Sequence, residues 1–134
     1  MTDNLKVVRK WIDCYNKHRI AEAEKLFTKD AIHDWIPDEI VKRGRKEIGD
    51  GMREVNRAFP DLVTRITNHM VQGDQVVIEV TWKGTFTGEF LGIKPTGKSL
   101  NLRAIFVVEL VAGKIKMVRE YYPSGLLNKQ LGIV

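Results

Sequence analysis

Residues 73–113 read GDQVVIEVTWKGTFTGEFLGIKPTGKSLNLRAIFVVELVAG, and they indicate the architecture more clearly than any other part of the sequence. Between Val76 and Phe86 every second residue is apolar or glycine, whereas most of the residues between them are charged or carry a hydroxyl group. Residues 100–110 repeat the alternation. Because a period of two is typical of a strand with one buried face, the stretch predicts two antiparallel strands joined by a glycine-rich loop. Strands of this length predict a large curved sheet, since a two-stranded ribbon is not stable alone.

The composition restricts the class of protein. With 134 residues, 43% of them hydrophobic, we expect one domain that spans residues 1–134. The 22 basic and 17 acidic residues give a net charge of +5, and this surplus is too small to indicate a nucleic-acid partner. Cys14 is the single cysteine, which excludes a disulfide framework and predicts a reducing, cytoplasmic location. We find no signal peptide and no apolar run of the ~20 residues that a membrane span needs, so we expect no membrane partner.

The rest of the chain predicts helices followed by a meander of strands. Apolar residues at spacings of three and four indicate helices, and a period of two indicates strands. The predicted helices run to Tyr15 and over about 20–28, 45–59 and 124–131, and the additional strands cover about 31–35, 62–71 and 114–122. We therefore expect an α+β domain with a strongly curved antiparallel sheet of about four long strands plus a short one, three N-terminal helices and a short C-terminal helix.

These elements predict a cavity. Three helices do not fully cover a strongly curved sheet, so we expect a cone-shaped space lined by the apolar strand faces, where a ligand would bind. Large aromatic residues are the candidate ligand-binding residues, with ordinary core packing as the alternative for each: Trp11, Trp35, Trp82, Phe86, Phe106 and Tyr122. No Ser-His-Asp order, phosphate-binding glycine loop or cluster of metal ligands stands out, and we expect no metal.

Five short motifs resemble those of the SnoaL-like polyketide cyclases, which belong to the NTF2-like superfamily. The motifs are FPDL at 59–62, GD at 73–74, GTFTGEFLGIKPTGK at 84–98, GKI at 113–115 and QLG at 130–132. The resemblance implies an NTF2-like cone, a homodimer or higher homo-oligomer, and a cofactor-free intramolecular aldol ring closure in which an acidic residue exchanges a proton with the substrate. Family members often have a histidine at the position of Phe86 and an aspartate near Tyr122 or Pro123. The nearest acid in this chain is Glu120.

Glu120 and His33 are the candidate catalytic residues. Burial in an apolar cavity disfavours the charged form of a carboxylate and so suits it to proton transfer near neutral pH. Ile115 and Met117 indicate that odd-numbered residues of the last strand face the core, which places Glu120 outside, paired with a basic side chain, unless a β-bulge intervenes. His33 either polarises a ligand carbonyl or is a structural histidine, and Asp34 must point to the opposite face.

Two hypotheses for the function follow. In the first, the protein binds a small, mostly apolar carbonyl compound and acts as a cofactor-independent cyclase or isomerase, with Glu120 as acid/base and His33 or a tyrosine polarising the carbonyl. In the alternative, it is a non-catalytic ligand-binding or oligomerisation module. We also expect a homodimer formed through the outer face of the sheet, because the apolar residues Ile105 and Val107 share that face with charged residues.

Overall fold

Four helices, six strands and one short 3₁₀ turn form residues 3–133, the part of the chain that the computed structural model describes. Their bounds are α1 Asp3–Asn16, α2 Ile20–Glu24, β1 Phe27–Trp35, the turn Ile36–Asp38, β2 Ile40–Arg43, α3 Gly44–Ala58, β3 Val63–Gln72, β4 Gln75–Thr85, β5 Ser99–Val111, β6 Lys114–Tyr121 and α4 Ser124–Leu131. The predicted α+β class is confirmed. Within the same residues, no helix is long and apolar enough to cross a membrane.

The six strands form one curved, open sheet in the order β2-β1-β6-β5-β4-β3. The strands β3 to β6 pair antiparallel with their neighbours in sequence, as predicted. In contrast, β1 pairs parallel with β6, so the sheet is mixed rather than wholly antiparallel. The two strands start side by side, since the Ile115 amide of β6 donates to the carbonyl of Leu26, the residue before β1, at 2.8 Å. Because β1 and β6 begin at the same edge, they run in the same direction.

The first two strands extend the sheet beyond the prediction. β1 begins at Phe27 rather than Ala31, and α2 ends at Glu24 rather than near residue 28. Phe27 fits the spacing of a helical stripe, but its side chain is fully buried as part of the strand. The four-residue strand β2, Ile40–Arg43, has no counterpart among the predicted strands. It is a short edge strand rich in basic side chains, which are typical of an exposed sheet edge and make such a strand resemble a loop in the sequence.

The concave face of the sheet carries two clusters of packed apolar side chains. Trp11 on α1 lies in the larger cluster, with its ring centroid 5.5 Å from that of Phe27 and 5.4 Å from that of Phe106. Its indole N–H donates to the Met52 sulfur at 3.4 Å and so ties α1 to α3. The smaller cluster is formed by Ala58, Phe59, Phe86, Leu100 and Leu131. Side chains of both clusters border a single cavity, which places the candidate site between them.

A β-bulge at Lys116 decides which side chains of β6 face the cavity. Lys116 is exposed and is skipped in the pairing of β6 with β5. Ile115 before it is buried, and the next buried residues are Val118 and Glu120. If Lys116 were paired regularly with β5, the alternation from Ile115 through Met117 would have placed Glu120 on the outer face. The bulge therefore turns this carboxylate inward.

Candidate active site

A cavity of about 390 Å³ lies between the concave face of the sheet and the helices α1, α3 and α4. Its walls are mainly apolar and aromatic, and five ionisable side chains border it: Tyr15, His33, Asp38, Glu120 and Tyr122. The volume falls in the range of roughly 300–1,000 Å³ that is usual for small-molecule sites. An apolar cavity with a few convergent polar groups is the usual form of a small-molecule site.

His33 and Glu120 form a hydrogen-bonded pair at the wall of this cavity. The distance from His33 Nε2 to Glu120 Oε1 is 2.7 Å, and the two side chains are only 3% and 12% exposed. The pair joins the parallel strands β1 and β6, in which Trp35 lies beside Glu120 and His33 beside Val118. Because the carboxylate is on one strand and the imidazole on the next, the sheet itself fixes their separation.

The surroundings of His33 favour one tautomer. Its Nδ1 is buried and has no hydrogen-bond partner within residues 3–133. A hydrogen on Nδ1 would therefore be a buried, unpaired donor, whereas an unprotonated Nδ1 leaves only a lone pair without a partner. We assign the hydrogen to Nε2, which donates it to the Glu120 carboxylate. The rings of Trp11 and Trp35, each with its centroid 6.0 Å from that of His33, hold the imidazole in this orientation.

The predicted ligand-binding residues divide into two groups. Four of them line the cavity: Trp35, Trp82, Phe106 and Tyr122. Trp11 and Phe86 are fully buried and do not line it. Trp11 packs behind His33, and Phe86 stacks on Phe59 with ring centroids 5.3 Å apart. Both residues therefore support the walls as core side chains. Asp34, the neighbour of His33, does not line the cavity either.

Tyr122 lines the cavity, but its hydroxyl group is engaged. It donates to Asp38 Oδ2 at 2.5 Å, and Asp38 is exposed in the turn after β1. Burial, the hydrogen bond to Asp38 and the charges of Asp38 and Glu120 raise the pKa of Tyr122 far above its ordinary value. The phenol therefore stays protonated and is a donor to Asp38. The adjacent Tyr121 is exposed and does not line the cavity.

Sequence reasoning missed two of the five ionisable residues that border the cavity, Tyr15 and Asp38. The sequence predicts Tyr15 at the end of the first helix, where its spacing from Trp11 and Ile12 fits an apolar face, and its ring does pack against the larger cluster. Burial, with a smaller contribution from the charge of Glu120, raises its pKa well above the ordinary value. Asp38 follows Pro37 in a turn, where an aspartate is unremarkable in sequence. The one feature of the sequence that could have identified Tyr15 as a site residue is its phenol group on an otherwise apolar helix face.

No group of three or more His, Cys, Asp or Glu side chains within residues 3–133 is arranged to hold a metal ion. Cys14 is buried near Glu22, with 3.9 Å between its sulfur and Oε2, on α1 and away from the cavity lining. The ionisable groups at the cavity wall are two carboxylates, an imidazole and two phenols.

Residues 5–131 match the family model described as SnoaL-like polyketide cyclase. No curated protein matches the sequence significantly. Among solved structures, a protein from Jannaschia sp. CCS1 provisionally named a SnoaL-like polyketide cyclase is 18% identical, covers 96% of this chain and 91% of its own, and has a TM-score of 0.88. A provisionally named polyketide cyclase from Streptomyces antibioticus is 18% identical over 97% of this chain and 99% of its own, with a TM-score of 0.82.

A phenazine biosynthesis-related protein from Pseudomonas aeruginosa is 22% identical over 98% of this chain and 86% of its own, with a TM-score of 0.84. At these identities the similarity establishes the fold alone, and it confirms the predicted NTF2-like architecture. One fold hosts unrelated functions, so the chemistry must be argued from the site.

Proposed function

The chain belongs to the SnoaL-like polyketide cyclase family, and on that premise we propose that it is a cofactor-independent cyclase or isomerase of a small, mostly apolar carbonyl compound. The observation that supports this proposal most is the His33–Glu120 pair, a carboxylate held by an imidazole at the wall of an apolar cavity. An apolar cavity alone would serve a binding protein equally well. A general base placed in it is what enolisation of a carbonyl compound requires.

Glu120 acts as acid and base in this proposal. Its Oε1 accepts the hydrogen bond from His33, so Oε2 is the oxygen that remains available to accept a proton from the ligand. Oε2 removes a proton from the carbon next to a carbonyl, and the electron pair of the broken C–H bond forms the enolate. In ring closure the enolate carbon bonds to a second carbonyl carbon, and the oxygen of that carbonyl takes the proton back from Glu120. In isomerisation the proton returns to a different carbon. Neither route requires a further reactant.

His33 acts as a positioning residue. Its Nε2–H fixes the rotamer of Glu120, and the rings of Trp11 and Trp35 fix the imidazole in turn. Its other nitrogen is enclosed, so it has no free donor for the carbonyl of a ligand. Preorganisation of this kind contributes to catalysis because the base needs no rearrangement when the substrate is bound.

Intramolecular aldol closure can be tested with 2-(2-oxopropyl)benzaldehyde, whose methyl ketone and aldehyde close to a ring that loses water to give fluorescent 2-naphthol. We expect the protein to accelerate the appearance of 2-naphthol over buffer. Glu120→Gln should lower the rate by about 10²–10⁴-fold, the usual contribution of a general base. Asp34→Asn is the matched control because Asp34 lies next to the site without lining the cavity. Equal rates for the wild type and Glu120→Gln would remove Glu120 as the base.

The alternative, a non-catalytic binding module, has less support. Such a module has no use for a buried carboxylate, and a buried ion pair or charged hydrogen bond is generally no more stabilising than an apolar replacement. A wild-type protein that binds the probe with no acceleration, and a Glu120→Gln variant that binds it equally well, would favour this alternative.

The outer face of the sheet supports the proposal of a homodimer. Apolar side chains lie in neighbouring positions across the strands, because Met70 pairs with Val77, Val77 with Val107, and Ile105 with Tyr121. Met70 is 57% and Ile105 40% exposed. A two-fold interface uses the same patch on both subunits, and an apolar patch is complementary to itself. Sedimentation of the wild type as a monomer at micromolar concentration would contradict the homodimer.

A further inference from the structure

The two tyrosines that line the cavity differ in what their hydroxyl groups contact. The Tyr122 hydroxyl donates to Asp38 at 2.5 Å, as described above. For the Tyr15 hydroxyl there is no hydrogen-bond partner within residues 3–133, although its ring lines the cavity. The Tyr15 oxygen is also not one of the fully enclosed, unpaired polar atoms of this part of the chain. Tyr15 is therefore the phenol with a hydrogen free to donate into the cavity.

Tyr15 and the proposed base Glu120 line the same cavity. Burial, with the negative charge of Glu120 as a smaller cause, raises the pKa of Tyr15. The consequence for chemistry is that the phenol keeps its hydrogen at neutral pH. A neutral donor and a carboxylate base are thus available to the same ligand.

The end of α1 that carries Tyr15 is fixed to the sheet. The next residue, Asn16, uses both ends of its side-chain amide: Nδ2 donates to the Thr64 carbonyl at 2.8 Å, and Oδ1 accepts from the Thr64 backbone amide at 2.8 Å. Thr64 is a buried residue of β3 that also lines the cavity. This two-point contact prevents the last turn of α1 from shifting relative to β3, so the Tyr15 ring is held in place.

We propose that Tyr15 donates a hydrogen bond to the carbonyl oxygen of the ligand from which Glu120 removes the α-proton. The inference rests on the proposed function, and it names the phenol that polarises the carbonyl, since the other two candidates for that role are occupied: His33 has no free donor and the Tyr122 hydroxyl is bound to Asp38. When the C–H bond breaks, the negative charge moves onto the carbonyl oxygen. The Tyr15 hydrogen bond strengthens at that moment, which is how a fixed donor stabilises an enolate.

The test uses 1-tetralone, a bicyclic aryl ketone with one exchangeable α-position, and two measurements on the 134-residue chain. Proton NMR follows the exchange of the α-hydrogens with deuterated water, and difference infrared spectroscopy records the carbonyl stretch of the bound ketone. Tyr15→Phe keeps the ring and removes only the hydroxyl, so the fold should be retained. Tyr121→Phe is the matched control, since Tyr121 is exposed and does not line the cavity.

We expect Tyr15→Phe to slow exchange by about 10²–10³-fold, the usual loss when one such donor is removed. The carbonyl band of the bound ketone should move to higher frequency, because a carbonyl that accepts a weaker hydrogen bond has a stiffer C=O bond. Tyr121→Phe should leave both measurements unchanged. A structural role for Tyr15 would lower the thermal midpoint without moving the band.

The outcomes separate this inference from the proposed function. Exchange that is lost in Glu120→Gln but unchanged in Tyr15→Phe, with an unmoved carbonyl band, would overturn the role of Tyr15 and leave the proposed function standing. A band that moves in Tyr15→Phe, together with a wild type that exchanges no faster than buffer, would support Tyr15 as the carbonyl donor and contradict the proposed chemistry for this ketone. A wild type that does not bind 1-tetralone at millimolar concentration would overturn Tyr15 as a donor to aryl ketones.

Discussion

Replacement of His33 by phenylalanine tests whether Glu120 depends on its partner. The change removes the only hydrogen-bond donor to Glu120 found within residues 3–133 and leaves its carboxylate in an apolar wall. Removal of one member of a buried pair costs about 3–5 kcal/mol, because the other charge stays buried without compensation. The side chains are 3% and 12% exposed, so solvent can replace little of the lost hydrogen bond. A domain of this size is stable by about 5–15 kcal/mol, and the variant should therefore lose a large part of its free energy of unfolding.

The double variant His33→Phe/Glu120→Leu tests whether the two losses of stability depend on each other. Exchange of buried, hydrogen-bonded polar partners for apolar side chains of similar volume is often neutral or stabilising, by up to about 1–4 kcal/mol where the partners are charged. Glu120→Leu alone should cost about 1–3 kcal/mol, because the His33 N–H is then buried without an acceptor. We therefore expect each single variant to be less stable than the wild type and the double variant to be at least as stable. The double variant should produce no 2-naphthol above the buffer rate.

Urea unfolding followed by tryptophan fluorescence measures the four free energies of unfolding, with Asp34→Asn as the control that leaves the pair intact. The reasoning is refuted if the two single effects simply add, within the roughly 0.3–0.5 kcal/mol that is usual for independent sites. A stable but inactive double variant would show that the pair is kept for function at a cost in stability, as is common for active sites.

Three further predictions concern the bulge, the acid stability and the outer face of the sheet. Deletion of Lys116 should remove the bulge but keep Glu120 inward, because the residues from Met117 to Glu120 keep their places opposite β5, so 2-naphthol should still form. Insertion of an alanine between Val118 and Arg119 should instead turn Glu120 outward and abolish 2-naphthol formation. The Thr85 backbone amide and hydroxyl lower the pKa of Asp61, so this exposed carboxylate stabilises the fold above its ordinary pKa and loses that contribution as the pH falls through the lowered value. Thermal midpoints recorded from neutral pH down to about pH 2 should therefore fall less steeply in Asp61→Asn. Ile105→Glu should convert the proposed dimer to a monomer in sedimentation, with unchanged secondary structure by circular dichroism.

The strands of residues 73–113 could be predicted because each is long and has one buried face. β4 and β5 bury alternate residues along nearly their whole length, so the period of two is repeated several times. The helix Ser124–Leu131 has the predicted bounds because Pro123 precedes it and Gly132, in a left-handed conformation, follows it. β1 and β2 gave no comparable signal, since β2 has four residues and the first half of β1 is irregularly paired with β6.

The face of Glu120 could not be read from the alternation of residues. Lys116 has the composition of any exposed strand position, and only its lack of an opposite residue on β5 makes it a bulge. Pairing between distant strands is a property of the folded sheet, so the identity of one residue does not reveal whether it has a partner on the next strand. The sequence therefore predicted two alternatives for Glu120, and the register of β6 against β5 selects the inward one.

Phe86 and His33 together show how the chain keeps an imidazole in its cavity. In the resemblance to the cyclases, a histidine often occupies the position of Phe86, yet here that side chain stacks on Phe59 in the smaller apolar cluster. A histidine in that place would have to bury its ring nitrogens among apolar side chains. The imidazole instead comes from β1, where the parallel pairing with β6 brings His33 to Glu120. The parallel pair and the bulge, the two features of the sheet that alternation alone cannot predict, are thus the ones that assemble the candidate site.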